Sequence, residues 1–240
     1  MSHNLTQSDA YIPPELIGVP HSVTPEQFER LCRKYRDLRL ELTSTGELIV
    51  MPPTGLQSGR RNADLTSQLR VWTQTDGRGI CFDSSTVFAL PNGARRMPDA
   101  SWLAREKWDR LTDKQKDGFG PFCPDFVVEI SSPTDRVIQV RNKMLEYLEN
   151  GASLGWLIDP NKRRVYIYRP EEELVILENP KVVFGDPLLR GFRLEMGSSG
   201  DVTQSHTVGC LPSAGIDWCN SFSNTATVRT TLSRVSRSAA

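Results

Sequence analysis

Hydrophobic and polar residues repeat along this chain in a pattern that predicts many strands and at least three helices. Apolar residues at helical spacing predict helices over residues 24–35, 60–75 and 132–150, and the polar stretch 105–118 is a further helical candidate. Alternating or continuous apolar runs predict strands at residues 38–43, 47–52, 80–90, 97–104, 124–132, 154–159, 164–169 and 173–177. Thr24, Pro25 and Gln27 form a capping-box pattern at the start of the first helix. This mixture is typical of an α/β or α+β fold with a mixed sheet.

One predicted strand carries a charge into the core. Residues 124–132 read PDFVVEISS, in which Val127, Val128 and Ile130 flank the carboxylate of Glu129. β-Branched residues bounded by prolines are typical of a buried strand. A buried carboxylate is costly unless a metal ion, a cation or a proton compensates it. Glu129 therefore needs a partner, and the nature of that partner bears directly on function.

Composition excludes some classes of function. The chain has 240 residues, a net charge of zero and 24% charged residues, so no global basic field draws it to nucleic acid or membrane. No apolar run is long enough to span a membrane, and the first residues lack a signal-peptide pattern, so we expect a cytoplasmic protein. The five scattered cysteines favour reduced thiols over disulfides or a zinc site.

We interpret residues 1–23 as an irregular lead-in, 24–196 as one domain and 197–240 as a flexible, Ser/Thr-rich tail.

A metal ion that activates water needs oxygen ligands that converge on one point. Asp125 shares a strand face with Glu129, but four residues of strand separate the two carboxylates by about 13 Å. Asp99 is the better partner, because it begins a different strand that could lie beside Glu129. Pro98 cannot donate to a strand ladder, which places Asp99 near the end of a sheet.

Two further charged residues are candidates. Lys143 lies beside the apolar stripe of the helix 132–150 and could reach the sheet, where it would neutralise charge on a phosphate or help deprotonate water. Glu41 alternates with leucines on a strand and could be a metal ligand or a supporting acid, although a solvated face is the favoured interpretation. Structural alternatives stay open for the others. Asp99 could serve as a turn residue, Glu129 could pair with an arginine, and Lys143 could extend along the helix border into solvent.

Several motifs in order resemble a known family. They are GELIVMPPTG, RRNA, FDSSTVFALPNGARRMPDASW, CPDFVVEISSPTD, KMLEYLENG and GWLIDPNKRRVYIYRP. Together they resemble the Uma-two family of restriction endonucleases, part of the PD-(D/E)XK nuclease superfamily, over roughly residues 20–196. The resemblance implies a restriction-endonuclease-like core of mixed β-sheet flanked by helices and a metal-dependent phosphodiesterase site.

The resemblance also implies roles for particular residues. The superfamily's Asp corresponds to Asp99 and its Glu to Glu129. Its lysine usually follows two residues after the Glu, where this chain has Ser131, and Lys143 matches the helix lysine that substitutes in such relatives. Glu41 matches a family acid near the metal. Residues 197–240 match nothing in the family, and we interpret them as an unrelated extension.

Local basic pairs are candidate phosphate contacts, although each also fits an ordinary solvated turn. They are Arg60 with Arg61, and Arg95 with Arg96, which immediately precede Asp99.

The sequence therefore predicts an endonuclease that hydrolyses DNA with Mg²⁺ or Mn²⁺. The alternative is a nuclease-fold module that binds nucleic acid or protein without cutting, which Ser131 favours somewhat. A metal-independent hydrolase with two carboxylates, such as a glycosidase, is a third interpretation without positive support. A homodimer is expected only by analogy with enzymes that cut both strands.

Overall fold

A computed structural model of the protein describes residues 22–51, 53–132, 137–197, 202 and 228–230. Residues 1–21 of the predicted lead-in 1–23 and most of the tail 197–240 lie outside these residues, as does the predicted start of the third helix at 133–136. Of the tail, Val202 is buried in the core and residues 228–230 form a strand.

Within the described residues, five helices and thirteen strands follow one another along the chain. The helices are α1 (Pro25–Lys34), α2 (Leu56–Asp76), α3 (Arg105–Asp109), α4 (Asp113–Lys116) and α5 (Val137–Glu149). The strands are β1 (Arg39–Leu42), β2 (Leu48–Met51), β3 (Gly79–Asp83), β4 (Phe88–Ala89), β5 (Arg95–Arg96), β6 (Ala100–Ala104), β7 (Phe126–Ile130), β8 (Leu154–Asp159), β9 (Arg164–Tyr168), β10 (Val175–Glu178), β11 (Val182–Phe184), β12 (Arg193–Glu195) and β13 (Val228–Thr230).

A mixed sheet in the order β13-β10-β9-β8-β7-β6-β3 forms the centre of the described fold. Strands β7 and β8 are parallel, and the other neighbouring pairs are antiparallel. Strands β2-β1-β5-β4 form a smaller sheet, and β11 pairs with β12. The predicted mixed sheet flanked by helices is thereby confirmed.

Helices α2 and α5 cover opposite faces of the central sheet. Successive side chains of a strand point to opposite faces, so Val128 faces α2 while Val127 faces α5. Leu65 and Leu69 of α2 belong to one core cluster, and Met144 and Tyr147 of α5 belong to the other. A third cluster joins Phe28 of α1 to Leu40 and Leu42 of β1. Glu41, between those leucines, therefore points away from α1.

Local signals predicted several elements correctly. The capping box of α1 is present, because Gln27 N donates to Thr24 Oγ1 at 3.2 Å and Thr24 N donates to Gln27 Oε1 at 2.7 Å. The hairpins β1–β2 and β8–β9 form as predicted. Gly151 has a φ of 106°, a backbone conformation that favours glycine and ends α5 where the sequence predicted.

Other boundaries were wrong for identifiable reasons. Helix α2 begins at Leu56 rather than at residue 60, because its N-cap Gly55 gives no side-chain signal. The predicted strand 80–90 divides into β3 and β4, because Asp83 Oδ1 accepts hydrogen bonds from Ser85 N and Ser85 Oγ and turns the chain. The helical stretch 105–118 is two short helices, since a capping box at Thr112 begins α4. Strands β5, β11, β12 and β13 were not predicted.

Two glycines with opposite environments give a test of packing. A Cβ at Gly79 would overlap the indole of Trp102, whereas a Cβ at Gly59, inside α2, would meet nothing within 4 Å. We expect Gly79→Ala to lower the free energy of unfolding by about 1–3 kcal/mol. We expect Gly59→Ala to raise it by about 0.5–1 kcal/mol, because alanine favours the helix. Urea unfolding of both variants measures the difference, and a stability loss at Gly59 or none at Gly79 would contradict this packing.

Candidate active site

Asp99 and Glu129 lie next to each other at one end of the central sheet. Ala100 of β6 pairs with Val128 of β7, so Asp99, one residue before β6, falls opposite Glu129. The two carboxylates are close enough for the charge of Asp99 to raise the pKa of Glu129. Asp99 Oδ2 also accepts a hydrogen bond from Ile130 N at 2.8 Å. Two carboxylates 30 residues apart in the chain are thus brought to one point.

Lys143 of α5 reaches this point from the covering helix. Its Nζ lies 2.8 Å from Glu129 Oε1 and 2.8 Å from Glu41 Oε1. One helical turn later, Tyr147 Oη donates a hydrogen bond to Glu129 Oε1 at 2.9 Å. The interpretation of Lys143 as a residue extending into solvent is therefore wrong, because its ammonium group is held between two buried carboxylates.

Glu41 joins the small sheet to this cluster. Its side chain is 3% exposed, so the favoured interpretation of a solvated face is wrong. Glu41 Oε1 accepts from Met97 N at 2.7 Å, and Glu41 Oε2 lies 3.2 Å from Arg96 Nη1. Both oxygens of this carboxylate are therefore occupied by groups of the protein.

The four predicted phosphate-binding arginines occupy different environments. Arg96 is 8% exposed and is paired through Nε with Glu146 Oε2 at 2.6 Å, in addition to Glu41. Arg95 is half-buried, and its Nη1 donates to Gly93 O at 3.0 Å. Arg60 is exposed and pairs with Asp64 at 3.0 Å, and Arg61 is half-buried on the same helix. Arg96 thus belongs to the buried cluster, and nucleic-acid binding by the other three stays a prediction.

Asn62, Glu146 and Tyr147 complete the site and were missed in the sequence. Asn62 Nδ2 of α2 donates to Asp99 Oδ1 at 2.9 Å, and Asn92 Nδ2 donates to Glu146 Oε1 at 3.0 Å. The spacing of four residues from Lys143 to Tyr147 is a helical signal that could have identified Tyr147. No local pattern marks Asn62 or Glu146, because their partners are distant in the chain.

Two other polar residues, one at each end of β7, have structural roles. Asp125, at the opposite end of β7, accepts a hydrogen bond from Ala104 N at 2.9 Å and pairs with Lys107. Ser131, at the position where the superfamily usually has its lysine, is buried, and its N donates to Ile158 O at 2.9 Å.

The electrostatics of the cluster differ from one carboxylate to the next. Burial, with the charges of Asp99 and Glu41, raises the pKa of Glu129 to about 7, and Lys143 offsets this only in part. Burial also raises the pKa of Asp99. Burial acts the same way on Glu41, but Lys143 and Arg96 outweigh it and hold the pKa of that carboxyl below its ordinary value. Burial would lower the pKa of Lys143, yet Glu129 and Glu41 together raise it, so the ammonium group stays charged.

Among the residues that the structure describes, no group of three or more His, Cys, Asp or Glu side chains has the geometry of a metal site. Asp99 and Glu129 provide two carboxylates, and Mg²⁺ often takes one or two carboxylate ligands from a protein.

Within the part of the chain that the structure describes, no helix is both long and apolar enough to cross a membrane.

Comparison with known proteins supports the fold. A crystal structure described as a putative nuclease belonging to DUF820, from Anabaena variabilis, is similar with a TM-score of 0.59 and 22% sequence identity. The similarity covers 70% of this chain and 90% of that chain, and it supports the fold. Among proteins with curated functions, none matches this chain.

The family model Uma2, described as "Putative restriction endonuclease", matches residues 25–197. The match contains Glu41, Asp99, Glu129 and Lys143, and it covers well over half of the chain. The chain therefore belongs to the Uma2 family of restriction-endonuclease-like proteins.

Proposed function

We propose that this protein is an endonuclease that hydrolyses DNA phosphodiester bonds with Mg²⁺, or with Mn²⁺ in its place. The observation that carries the proposal is the juxtaposition of Asp99 and Glu129 at a sheet end, with Lys143 Nζ 2.8 Å from Glu129. The family description supports a nuclease. DNA as the substrate and the divalent ion are the proposed part.

The donor set fits a divalent cation of this kind. Mg²⁺ commonly takes one or two carboxylates and fills its other positions with water and substrate phosphate. Asp99 and Glu129 would hold the ion, and loss of surrounding water raises the pKa of each more than the nearby positive charges lower it. Bound there, the ion would polarise a phosphate and lower the pKa of the attacking water.

Lys143 would stabilise the negative charge that develops on the phosphate in the transition state. Its ammonium group stays protonated because Glu129 and Glu41 raise its pKa. A permanently charged donor is suited to stabilising charge and poorly suited to accepting a proton from water. Tyr147 would hold the Glu129 carboxylate in place through its hydrogen bond of 2.9 Å.

Glu41 would position Lys143 instead of holding the ion. Its Oε1 is shared by Lys143 Nζ and Met97 N, and its Oε2 is paired with Arg96. Arg96 is in turn held by Glu146, so a chain of alternating charges fixes the ammonium group from behind. In this proposal Arg96 supports the site and does not contact nucleic acid.

The alternative is a module that binds without cutting, as Ser131 at the usual lysine position suggests. The contact of Lys143 with Glu129 favours the enzyme, because a lysine from α5 supplies the cation that the strand lacks.

Nicking of supercoiled plasmid tests the site directly. With Mg²⁺ or Mn²⁺, we expect the wild type to nick and Asp99→Asn to reduce the rate by about two orders of magnitude or more, because one ion ligand is lost. Asp109→Asn is the matched control, since Asp109 is exposed and ends α3 at the opposite end of β6. Nicking that persists in Asp99→Asn would refute the assignment. Intact plasmid with retained binding would favour the non-cutting module.

The pH dependence of nicking follows from Glu129. Because its pKa is raised to about 7, much of this carboxyl is protonated in the metal-free protein below that pH and cannot hold a cation. We therefore expect the rate to rise between about pH 6 and pH 8, and higher Mg²⁺ to move the midpoint to lower pH by competing with the proton. Rates measured across this range at two Mg²⁺ concentrations check it. A rate that falls with rising pH, or a midpoint pH that does not change with the Mg²⁺ concentration, would contradict the role of Glu129 as an ion ligand.

The positioning role of Glu41 has a readout apart from catalysis. In Glu41→Gln, the ammonium group of Lys143 loses one of its two carboxylate partners. We therefore expect a water-soluble ester to acylate Lys143 faster than in the wild type. Mass spectrometry measures the rate of this labelling. Lys162, which is half exposed, serves as the internal reference. The nicking rate should fall about 10- to 100-fold. Glu178→Gln removes a half-buried, ion-paired glutamate on β10, far along the sheet from Lys143, and should change neither quantity. Unchanged labelling of Lys143 would show that Glu41 does not hold it.

A further inference from the structure

An open groove of about 490 Å³ runs along α2 beside the site, and the proposed hydrolysis makes no use of it. One wall is formed by Asn62, Thr66, Ser67 and Arg70 of α2, and the other by Asp83 and Ser84 at the end of β3. Asn62, Thr66 and Arg70 follow one another at intervals of four residues, and Ser67 lies beside Thr66 and three residues before Arg70. These residues share one face of the helix, away from the core residues Leu65 and Leu69.

The groove begins at the site itself. Asn62, which lines it, donates a hydrogen bond to Asp99 Oδ1 at 2.9 Å. A molecule lying in the groove would therefore continue directly to the carboxylate pair of Asp99 and Glu129. This continuity distinguishes the groove from an isolated surface depression.

One arginine lines the groove and a second contacts its wall. Arg70 is exposed and forms no ion pair within the described part of the chain. It follows Asn62 by eight residues, or about 12 Å of helix. Arg39 Nη2 donates to Ser84 O at 2.6 Å, and its charge acts on the carboxylates of Asp83 and Asp99.

The remaining polar groups are compatible with an anionic chain. The hydroxyls of Thr66 and Ser67 form no hydrogen bond among the described residues and are available as donors. Asp83 is the acidic residue in the groove, and its Oδ1 accepts hydrogen bonds from Ser85 N at 3.0 Å and Ser85 Oγ at 2.7 Å. One oxygen of that carboxylate is therefore occupied by its own turn, and the charge of Arg39 acts on it and partly offsets its negative charge.

We propose that this groove binds the sugar-phosphate backbone of DNA next to the bond that is cut. Arg70 contacts a phosphate about three or four nucleotides from the cleavage point, since each nucleotide advances a strand by about 3.4 Å along the duplex. The hydroxyls of Thr66 and Ser67 donate to phosphates between the two. The assignment rests on the proposed function, because the position of Asp99 defines where the backbone is cut.

Binding without cleavage tests the groove independently of hydrolysis. Fluorescence anisotropy of a short fluorescein-labelled DNA duplex, in EDTA, gives Kd from about 50 to about 200 mM salt. We expect Arg70→Gln to raise Kd about three- to tenfold at the lower salt and to reduce the slope of log Kd against log salt by about 1, as for one lost phosphate contact. Arg110→Gln is the control variant. It also removes one positive charge, at an exposed position just after α3 where Arg110 pairs with Glu106, and it should leave Kd within about twofold of the wild-type value.

A second variant fills the groove without changing charge. Ala63 is exposed on the same wall, so Ala63→Trp should keep the melting temperature of the wild type and raise Kd about tenfold by excluding the backbone. Weaker binding in both variants supports the groove. Unchanged Kd and salt slope in Arg70→Gln, or an equal loss in Arg110→Gln, would overturn it.

The two proposals fail separately. If the wild type nicks plasmid and Asp99→Asn does not, while Arg70→Gln and Ala63→Trp bind normally, the groove is wrong and the site stands. If the wild type neither binds the duplex nor nicks plasmid, both proposals are wrong.

Discussion

The ammonium group of Lys143 lies between the buried carboxylates of Glu129 and Glu41, and much of the architecture depends on this contact. Glu129 belongs to the central sheet, Glu41 to the small sheet and Lys143 to α5, so one cation joins three parts of the described fold. Buried charges are stable only when each is paired, and removal of one partner leaves the others uncompensated. The same contact therefore holds the sheets together and prepares the site for chemistry.

Negative charges outnumber positive charges in this cluster. Of four carboxylates, those of Glu41, Glu129 and Glu146 pair with Arg96 or Lys143, whereas Arg39 acts on the fourth, Asp99, without pairing with it. Glu41 and Glu146 each contact an arginine, whereas Asp99 contacts only neutral donors among the described residues. The deficit falls on Asp99 and Glu129, and it appears as their raised pKa. A proton on Glu129 or a divalent cation between the two acids would each restore balance, which is why the proton and the metal are expected to compete.

The sequence predicted those features that local chemistry determines. The β-branched run around Glu129, the capping box at Thr24 and the glycine at the end of α5 each identified an element correctly. The identity of the Asp99–Glu129 pair followed from strand positions and from the resemblance to a nuclease family. The position of Arg96 could not be predicted, because two adjacent arginines look alike in a sequence. Only the pairing of β5 with β1 decides that Arg96 faces the buried acids.

The lysine of the site comes from helix α5 and not from strand β7, so the helix has to pack closely on the sheet. A lysine two residues after Glu129 on β7 would be fixed by the sheet, but Ser131 occupies that position and its N donates to Ile158 O. Lys143 reaches Glu129 only if α5 packs close to the sheet. Gly155 of β8 leaves room for the side chain of Met144, the residue after Lys143, because a Cβ there would meet Met144 Cε at 2.5 Å. The packing of α5 on the sheet, with Met144 over Gly155, thus brings the ammonium group to a carboxylate that has no lysine partner on its own strand.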